Sequence, residues 1–239
     1  MLIPSVRHRV EDLAIWKELE EADRLQYSFR RLDAKVHRSR EIIRDFANDG
    51  PCVVMSSWGK DATVVASLAA SFSIPVVHIS QPDSDPTCEA DEVANLFLER
   101  FPHADYHVVR VHKTGQPFVP GKPTPELLAG IEQCRQRWGS RWINGLRREE
   151  GGGRQFRTDA VCGISCAPIF DWSVEDVFAY LVFNNLPIHP RYAMLGGGRW
   201  KRDRLRVCTF GGHRGTGGGR NEWEAEYYGD VIRRLQASG

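Results

Sequence analysis

The residues best suited to chemistry form the short polar segment 56–61, with the sequence SSWGKD. The apolar run 52–55 before it is short enough for a buried strand, and residues 64–70 can open a helix. A loop between a strand and a helix aims free backbone N–H groups at an anion, and Lys60 adds a mobile positive charge. Gly59 and the small serines allow a phosphate to approach the backbone. We therefore predict that this segment, here called the phosphate loop, holds a pyrophosphate group; the alternative is a turn without a ligand.

A second charged segment, 143–154, has the sequence INGLRREEGGGR and follows a predicted strand. It should therefore reach the same edge of a parallel sheet as the phosphate loop. Arginines there can bind phosphate through the planar guanidinium group, and a carboxylate beside them can orient an arginine or help to hold Mg²⁺. The alternative is a solvated charged loop, which is the usual state of an Arg/Glu run.

Three of the six cysteines lie late in the chain, at Cys162, Cys166 and Cys208. Three thiolates could hold an iron–sulfur cluster or handle sulfur directly. Alternatively, Cys162 and Cys166 are small buried hydrophobic residues. Residues 1–9 lack the apolar core of a signal peptide, so we expect a cytoplasmic protein with reduced thiols.

A basic cluster with the sequence RWKRDRLR occupies residues 199–206, although the net charge of the whole chain is only +1. Such a cluster could bind the backbone of DNA. A solvated loop and a clamp for ATP phosphates are the alternatives. The basic side chains concerned are Arg199, Lys201, Arg202, Arg204 and Arg206.

The elements that must position these residues alternate between helices and strands. One long or two shorter helices are predicted over 11–47. Strands are predicted at 52–56, 74–79, 106–111 and 141–146, with helices at 60–72, 87–101 and 125–138. Ser173 and Asp176 predict a capping box, and 222–235 a terminal helix. This alternation predicts an α/β fold with a doubly wound, mostly parallel sheet, in which ligands bind beyond the carboxyl ends of the strands.

Length and composition suggest one globular unit. The chain has 239 residues with an apolar fraction of 41%, which fits a single domain over 1–239. Within it we expect an N-terminal helical segment of about 1–49 and a loop-rich C-terminal segment of about 196–239. No apolar run approaches the roughly 18 residues of a membrane span, so no membrane partner is expected.

The motifs, taken in order, resemble the PAPS reductase-like family of N-type (PP-loop) ATP pyrophosphatases, where PAPS is 3′-phosphoadenylyl sulfate. The phosphate loop resembles the PP-loop pattern Ser-Gly/Phe-Gly-Lys-Asp-Ser/Thr, from which Trp58 and Ala62 depart. Segment 143–154 resembles Gly-Ile-Arg-x-x-Glu-Ser-x-x-Arg, and segments 167–177 and 185–192 resemble Pro-Ile-x-Asp-Trp-Thr/Ser-x-x-Asp-Val and Leu-Pro-x-x-Pro-x-Tyr. The first two patterns match at Ser57, Gly59, Lys60, Asp61, Thr63, Gly145, Arg147, Glu150 and Arg154.

This resemblance implies an adenine nucleotide alpha-hydrolase-like fold that cleaves ATP between the α- and β-phosphates. It implies ATP and Mg²⁺ as ligands, with Asp61 as a ligand of Mg²⁺. The catalytic residues that it implies are Lys60, Asp61, Arg147 and Glu150. The residues that it places around the nucleotide are Ser56, Ser57, Trp58, Gly59, Lys60, Asp61, Thr63, Gly145 and Arg154.

The sequence does not show two motifs that are typical of known reductase subfamilies. The Glu-Cys-Gly-x-His tail of PAPS reductases and the adjacent cysteines of cluster-binding adenylyl-sulfate reductases are not found. We therefore expect a role in sulfur insertion, resembling the ATP pyrophosphatase of DNA phosphorothioation systems (Dnd or Ssp type), with DNA and a cysteine desulfurase as partners. Two alternatives stay open. One is a sulfate-assimilation enzyme, either a sulfate adenylyltransferase subunit or a PAPS reductase-like enzyme. The other is a non-catalytic nucleotide-binding protein.

Overall fold

A six-stranded sheet in the order β3-β2-β1-β4-β6-β5 forms the centre of the computed structural model. The structure describes residues 1–113, 123–150, 158–207, 209–210 and 220–237. All neighbouring strands are parallel except β5, which runs antiparallel to β6 at one edge. The predicted doubly wound, mostly parallel α/β sheet is confirmed. The strands are β1 (Val53–Met55), β2 (Val76–Ser80), β3 (Tyr106–Arg110), β4 (Trp142–Ile143), β5 (Val161–Cys162) and β6 (Ser165–Cys166).

Seven helices within the described ranges surround this sheet. The predicted N-terminal helical segment is two helices, because Arg31 adopts a left-handed conformation with φ of 49° between them. The first helix of the chain packs mainly on the sixth helix. Among the described residues, no helix is both long and apolar enough to cross a membrane. The helices are α1 (Val10–Phe29), α2 (Leu32–Asn48), α3 (Lys60–Ala69), α4 (Glu89–Arg100), α5 (Pro125–Trp138), α6 (Val174–Phe183) and α7 (Arg220–Ala237), and short 3₁₀ turns span Arg148–Glu150 and Pro190–Ala193.

The helix that follows β1 is almost completely enclosed. Nine of the ten residues of α3 are buried, and its aliphatic side chains belong to a core that extends from Ile3 to Val231. Because side chains in a close-packed interior have little room to shift, the first turn of α3 is held firmly. The residues of the phosphate loop that enter this turn are therefore fixed by the core.

Strand β4 is shorter than the predicted strand 141–146, because the chain turns after Ile143. The side-chain oxygen of Asn144 accepts a hydrogen bond from the backbone N–H of Leu146 at 3.1 Å, which closes a tight turn. Such local side-chain bonds compete with the strand ladder. The turn carries the following residues across the carboxyl ends of β1 and β4.

The capping box predicted at the start of α6 is present. The Ser173 hydroxyl accepts from the backbone N–H of Asp176 at 3.2 Å, and the Asp176 carboxylate accepts from the backbone N–H of Ser173 at 2.8 Å. Lys35 also donates to Asp176. Burial raises the pKa of Asp176, but these hydrogen bonds outweigh burial, so the pKa lies below its usual value.

The basic cluster is partly neutralised by ion pairs with helices α1 and α7. Arg202 forms a two-pronged pair with Asp23, with one N–O distance of 2.6 Å, and its guanidinium lies 4.1 Å from the ring centre of Phe178. Arg199 lies 3.5 Å from Glu222. The charge of Arg202 therefore compensates a buried carboxylate, and binding of DNA by the cluster stays a prediction. Within the cluster Arg199, Lys201, Arg204 and Arg206 are exposed.

Replacing Arg202 by methionine should lower the free energy of unfolding by about 3–5 kcal/mol, because Asp23 would be left as an uncompensated buried charge. The side chains of Arg202 and Asp23 are 12% and 4% exposed. The matched control is Arg204→Met, at a side chain that is 85% exposed, and it should change the value by less than about 0.5 kcal/mol. Urea unfolding of the two variants measures both quantities. Equal losses in the two variants would contradict the role given to the buried pair.

Candidate functional site

The phosphate loop lies at the point where the strand order reverses, between β1 and β4. The segment that follows β4 approaches it backbone to backbone: a Cβ atom added to Gly145 would lie 2.8 Å from the carbonyl carbon of Asp61. Any larger residue at this position would push the two segments apart. The structure thus brings together the two segments that the sequence predicted to share an edge of the sheet.

Two buried cations share one carboxylate at this junction. Lys60 Nζ lies 2.7 Å from Asp61 Oδ2, and Arg147 Nε lies 2.6 Å from Asp61 Oδ1. The side chains of Lys60 and Arg147 are 5% and 3% exposed, whereas that of Asp61 is 16% exposed. The most accessible part of the cluster is therefore the carboxylate that both cations hold.

Both cations keep their charge in this environment. Burial lowers the pKa of Lys60, but Tyr192 and Asp61 outweigh burial, so the pKa is raised overall. Arg147 behaves in the same way, with burial opposed by Asp61 and Glu149. Lys60 and Arg147 therefore both carry a positive charge beside Asp61.

Two glutamates of the 3₁₀ turn complete the surroundings of Arg147. Glu149 contacts the Arg147 guanidinium and also accepts a hydrogen bond from the backbone N–H of Val174 at 2.7 Å. Glu150, the predicted site residue, lies 3.8 Å from the same guanidinium. Sequence reasoning missed Glu149 as a site residue, although it directly precedes Glu150. Its contact with the start of α6 was not visible in any spacing.

The serines of the phosphate loop bond to the loop itself. Ser56 Oγ accepts from the backbone N–H of Trp58 at 3.2 Å, and Ser57 Oγ lies 3.4 Å from the backbone nitrogen of Gly59. Ser56 is buried, so in this arrangement it shapes the loop. Ser57 is exposed. An anion can therefore approach from the side of Ser57 and Asp61.

Trp58 points away from the phosphate loop into the core. Its side chain is fully buried, its ring centre lies 5.0 Å from that of Phe97, and its indole N–H donates to the Tyr106 hydroxyl at 3.2 Å. Its φ of 58° lies in the left-handed region, which glycine adopts without steric cost. This backbone conformation turns the ring inward, so a contact between Trp58 and the nucleotide would have to come from its backbone, and that contact stays a prediction.

Thr63, another predicted nucleotide contact, is also buried. It is 1% exposed, and its hydroxyl has no hydrogen-bond partner among the residues that the structure describes. It lies two residues after the phosphate loop, in the first turn of the enclosed helix α3. Its contact with the nucleotide stays a prediction. Arg154, the last member of the predicted set, lies outside the described residues.

Two of the three late cysteines, Cys162 and Cys166, lie on opposite sides of the β5–β6 hairpin. Cys162 pairs with Ser165 in the β5–β6 ladder, so Cys166, one residue further on, faces the opposite side of the hairpin. Accordingly Cys162 is exposed and Cys166 is buried. In the described part of the chain, no three His, Cys, Asp or Glu side chains lie together as a metal site. Cys208 lies outside that part, so the predicted cluster stays a prediction.

The 3₁₀ turn Pro190–Ala193 contributes contacts that sequence reasoning missed. The Tyr192 hydroxyl accepts a hydrogen bond from the backbone N–H of Lys60 at 3.0 Å. Arg191 is completely buried and lies 2.7 Å from Asp85 and 2.9 Å from Glu89. Both residues belong to the segment that resembles Leu-Pro-x-x-Pro-x-Tyr, which was the only signal available. The turn therefore ties the phosphate loop to the start of α4.

Comparisons with known proteins found similarity over part of the chain. The model of the phosphoadenosine phosphosulfate reductase domain matches residues 127–194. This range includes Arg147 and Tyr192 but not the phosphate loop. Adenosine 5′-phosphosulfate reductase of Lysinibacillus sphaericus is 36% identical over 74 residues, which is 29% of this chain and 28% of that protein. Phosphoadenosine 5′-phosphosulfate reductase of Xanthomonas axonopodis pv. citri is 31% identical over 94 residues, or 37% and 34% of the two chains.

Among solved structures, phosphoadenylyl-sulfate reductase from Candida auris in a phosphate complex has a TM-score of 0.46 and 11% identity, covering 63% of this chain and 81% of that one. The curated matches span about a third or less of these two relatives' length. The family model and the relatives support the PAPS reductase-like family, and the relatives named are enzymes of that family. The sheet described above fits the adenine nucleotide alpha-hydrolase-like fold.

Replacing Trp58 by glycine should lower the free energy of unfolding by roughly 2–4 kcal/mol. The stabilisation lost with a buried aromatic side chain is larger than the stabilisation gained when glycine relieves the left-handed backbone conformation. Nucleotide affinity should change little, because the ring faces away from the loop. Urea unfolding and nucleotide titration of the same variant measure the two effects. A glycine variant of unchanged stability but higher nucleotide affinity would show that the ring obstructs the phosphate site.

Proposed function

We propose that this chain is an enzyme of sulfur metabolism that binds an adenine nucleotide, with the nucleotide's anionic groups at the phosphate loop. The observation that carries the proposal is the pair of buried cations, Lys60 and Arg147, held by Asp61 at the junction of β1 and β4. Preorganised cations in a water-poor site stabilise charge that develops on phosphate oxygens. A polyanionic ligand that replaces Asp61 as their partner would meet both of them.

The substrate class that we favour is adenylyl sulfate, either adenosine 5′-phosphosulfate or its 3′-phosphorylated form. The support is the naming of the relatives as reductases of these two nucleotides, which makes sulfate assimilation the better-supported role. The phosphate loop and Arg147 would then bind the phosphosulfate group. The matches cover only part of those enzymes, so their full activity is a proposal for this chain.

A second candidate is an ATP pyrophosphatase that serves sulfur insertion, as in DNA phosphorothioation. The observation that favours it is the loop itself, in which Ser57, Gly59, Lys60 and Asp61 fit the PP-loop pattern. Here an acceptor oxygen would attack the α-phosphorus of ATP, forming an adenylylated acceptor and releasing pyrophosphate. Lys60 and Arg147 would neutralise the leaving pyrophosphate. Four exposed basic residues, Arg199, Lys201, Arg204 and Arg206, are the candidate contacts for DNA, and a cysteine desulfurase would be the sulfur donor.

The residues at the loop are compatible with Mg²⁺ bound through the nucleotide. Mg²⁺ usually retains several waters and uses one or two carboxylates together with substrate phosphates. Asp61 is the partly exposed carboxylate at the loop, and phosphates that bind Lys60 and Arg147 would free its oxygens. When bound, the ion would neutralise further phosphate charge. The described thiols, Cys162 and Cys166, face opposite sides of their hairpin, so no step is assigned to an iron–sulfur cluster.

The test is an analysis of products from three parallel incubations of the purified protein. One contains adenosine 5′-phosphosulfate and a thiol reductant, one contains its 3′-phosphorylated form and the same reductant, and one contains ATP with Mg²⁺. Sulfite from either of the first two supports the favoured role, whereas AMP and pyrophosphate from ATP support the second candidate. ADP and phosphate would contradict both. Binding without turnover would indicate a non-catalytic nucleotide-binding protein.

Whichever reaction is found, Lys60→Ala should reduce its rate by about 100-fold or more, because a positioned charge near the reacting phosphate is lost. Lys17→Ala is the matched control, because Lys17 is exposed on α1, away from the phosphate loop. It should retain the full rate. Steady-state rates of the three proteins on the accepted nucleotide decide the point. Full activity in the Lys60 variant would remove the phosphate loop from the mechanism.

A further inference from the structure

We propose that Tyr192 is a positioning residue that holds the phosphate loop in its nucleotide-binding shape, and that Arg191 fixes Tyr192 for this purpose. The inference rests on the proposed function in one respect, namely that the loop binds the phosphate groups of a nucleotide. It assigns a role to the turn Pro190–Ala193, which contacts the backbone and amine of Lys60 through Tyr192.

The Tyr192 hydroxyl lies next to two consecutive residues of the phosphate loop, Gly59 and Lys60. The Tyr192 hydroxyl accepts a hydrogen bond from the backbone N–H of Lys60 at 3.0 Å. It would also lie 3.1 Å from a Cβ atom added to Gly59, so a side chain there would displace it. The Lys60 amine lies 5.6 Å from the centre of the same ring.

The hydrogen bond falls on a group that the helix cannot satisfy. Lys60 is the first residue of α3, and the first N–H groups of a helix have no partner within the helix. Helices α5 and α6 are capped by the side chain that directly precedes them, Thr124 and Ser173. Gly59 precedes α3 and has no side chain to act as an acceptor, and the Tyr192 hydroxyl, far along the chain, accepts from Lys60 instead.

The turn that carries Tyr192 is anchored too firmly to act as a gate. Tyr192 is 2% exposed, and its ring packs edge-on against Phe178 with centres 5.6 Å apart. Arg191 is paired with Asp85 and Glu89. Movement of the turn would separate these buried charges, which is strongly unfavourable. The phenol is therefore a fixed support beneath the loop.

The proposal places a bound phosphate on the exposed side of the loop, away from the buried phenol. Tyr192 lies on the buried side of the loop, whereas Ser57 is exposed and Asp61 is partly exposed. A phosphate that arrives beside Ser57 and Asp61 does not need the space of the phenol. Support of the loop should therefore increase nucleotide affinity, and competition between phenol and phosphate should not occur.

The test compares Tyr192→Phe with Tyr180→Phe. Each change removes one buried hydroxyl that touches α3, but Tyr180 bonds Ser67, far from the loop, at 3.3 Å. The first measurement is amide hydrogen exchange without ligand. Exchange at Lys60 should be about tenfold faster in Tyr192→Phe and unchanged in Tyr180→Phe. Unchanged exchange at Lys60 in Tyr192→Phe would overturn the inference.

The second measurement is the dissociation constant of ATP and of adenosine 5′-phosphosulfate, with adenosine as the ligand that lacks phosphate. Tyr192→Phe should weaken the accepted nucleotide about fivefold, as expected for one neutral hydrogen bond, and leave adenosine unaffected. Tighter nucleotide binding by Tyr192→Phe would mean that the phenol competes with phosphate. Equal nucleotide binding by both variants would overturn this inference and leave the proposed function standing. If the wild type binds neither nucleotide, the proposed function fails, and the nucleotide part of this inference fails with it. The exchange data still test the hydrogen bond between Tyr192 and Lys60 separately.

Discussion

The central constraint of this structure is the sharing of one carboxylate by two buried cations. Removing a charge from water is very costly unless an opposite charge lies next to it. Asp61 satisfies this requirement for both Lys60 and Arg147, which come from chain segments more than eighty residues apart. The enclosure of α3, the close approach of Gly145 and the turn after β4 all bring these three side chains to one point. The same pairing keeps the two cations charged and ready for another anion.

The sequence was a good guide where chemistry depends on local order. The strand–loop–helix pattern around Lys60 and the capping box at Ser173 are local features, and both were predicted correctly. The placement of the Trp58 and Arg202 side chains could not be predicted, because it depends on neighbours distant in sequence. A tryptophan in a loop of small residues indicates bulk but not direction, and its φ of 58° turns it into the core. Arg202 belongs to a basic run, yet the burial of Asp23 decides its partner.

The candidate site also joins two parts of the chain with different degrees of similarity to known proteins. The family model covers 127–194, which supplies Arg147 and the turn with Tyr192. The phosphate loop lies outside that range and contributes Lys60 and Asp61. The similarity to the family and the interpretation of the phosphate loop therefore rest on separate evidence. Their meeting at Asp61 and Gly145 is a geometric fact that neither comparison contains.

The last helix, α7, is interrupted at Tyr228, whose φ of −130° is not helical. The Tyr228 hydroxyl donates to Glu89 at 2.7 Å, and Glu89 in turn holds Arg191. A segment that shares buried polar contacts with the interior opens together with it, whereas a segment attached by exposed contacts frays on its own. This buried contact makes α7 part of the same cooperative unit as the turn Pro190–Ala193 and the phosphate loop, so that the C-terminal helix and the candidate site are expected to melt in a single transition.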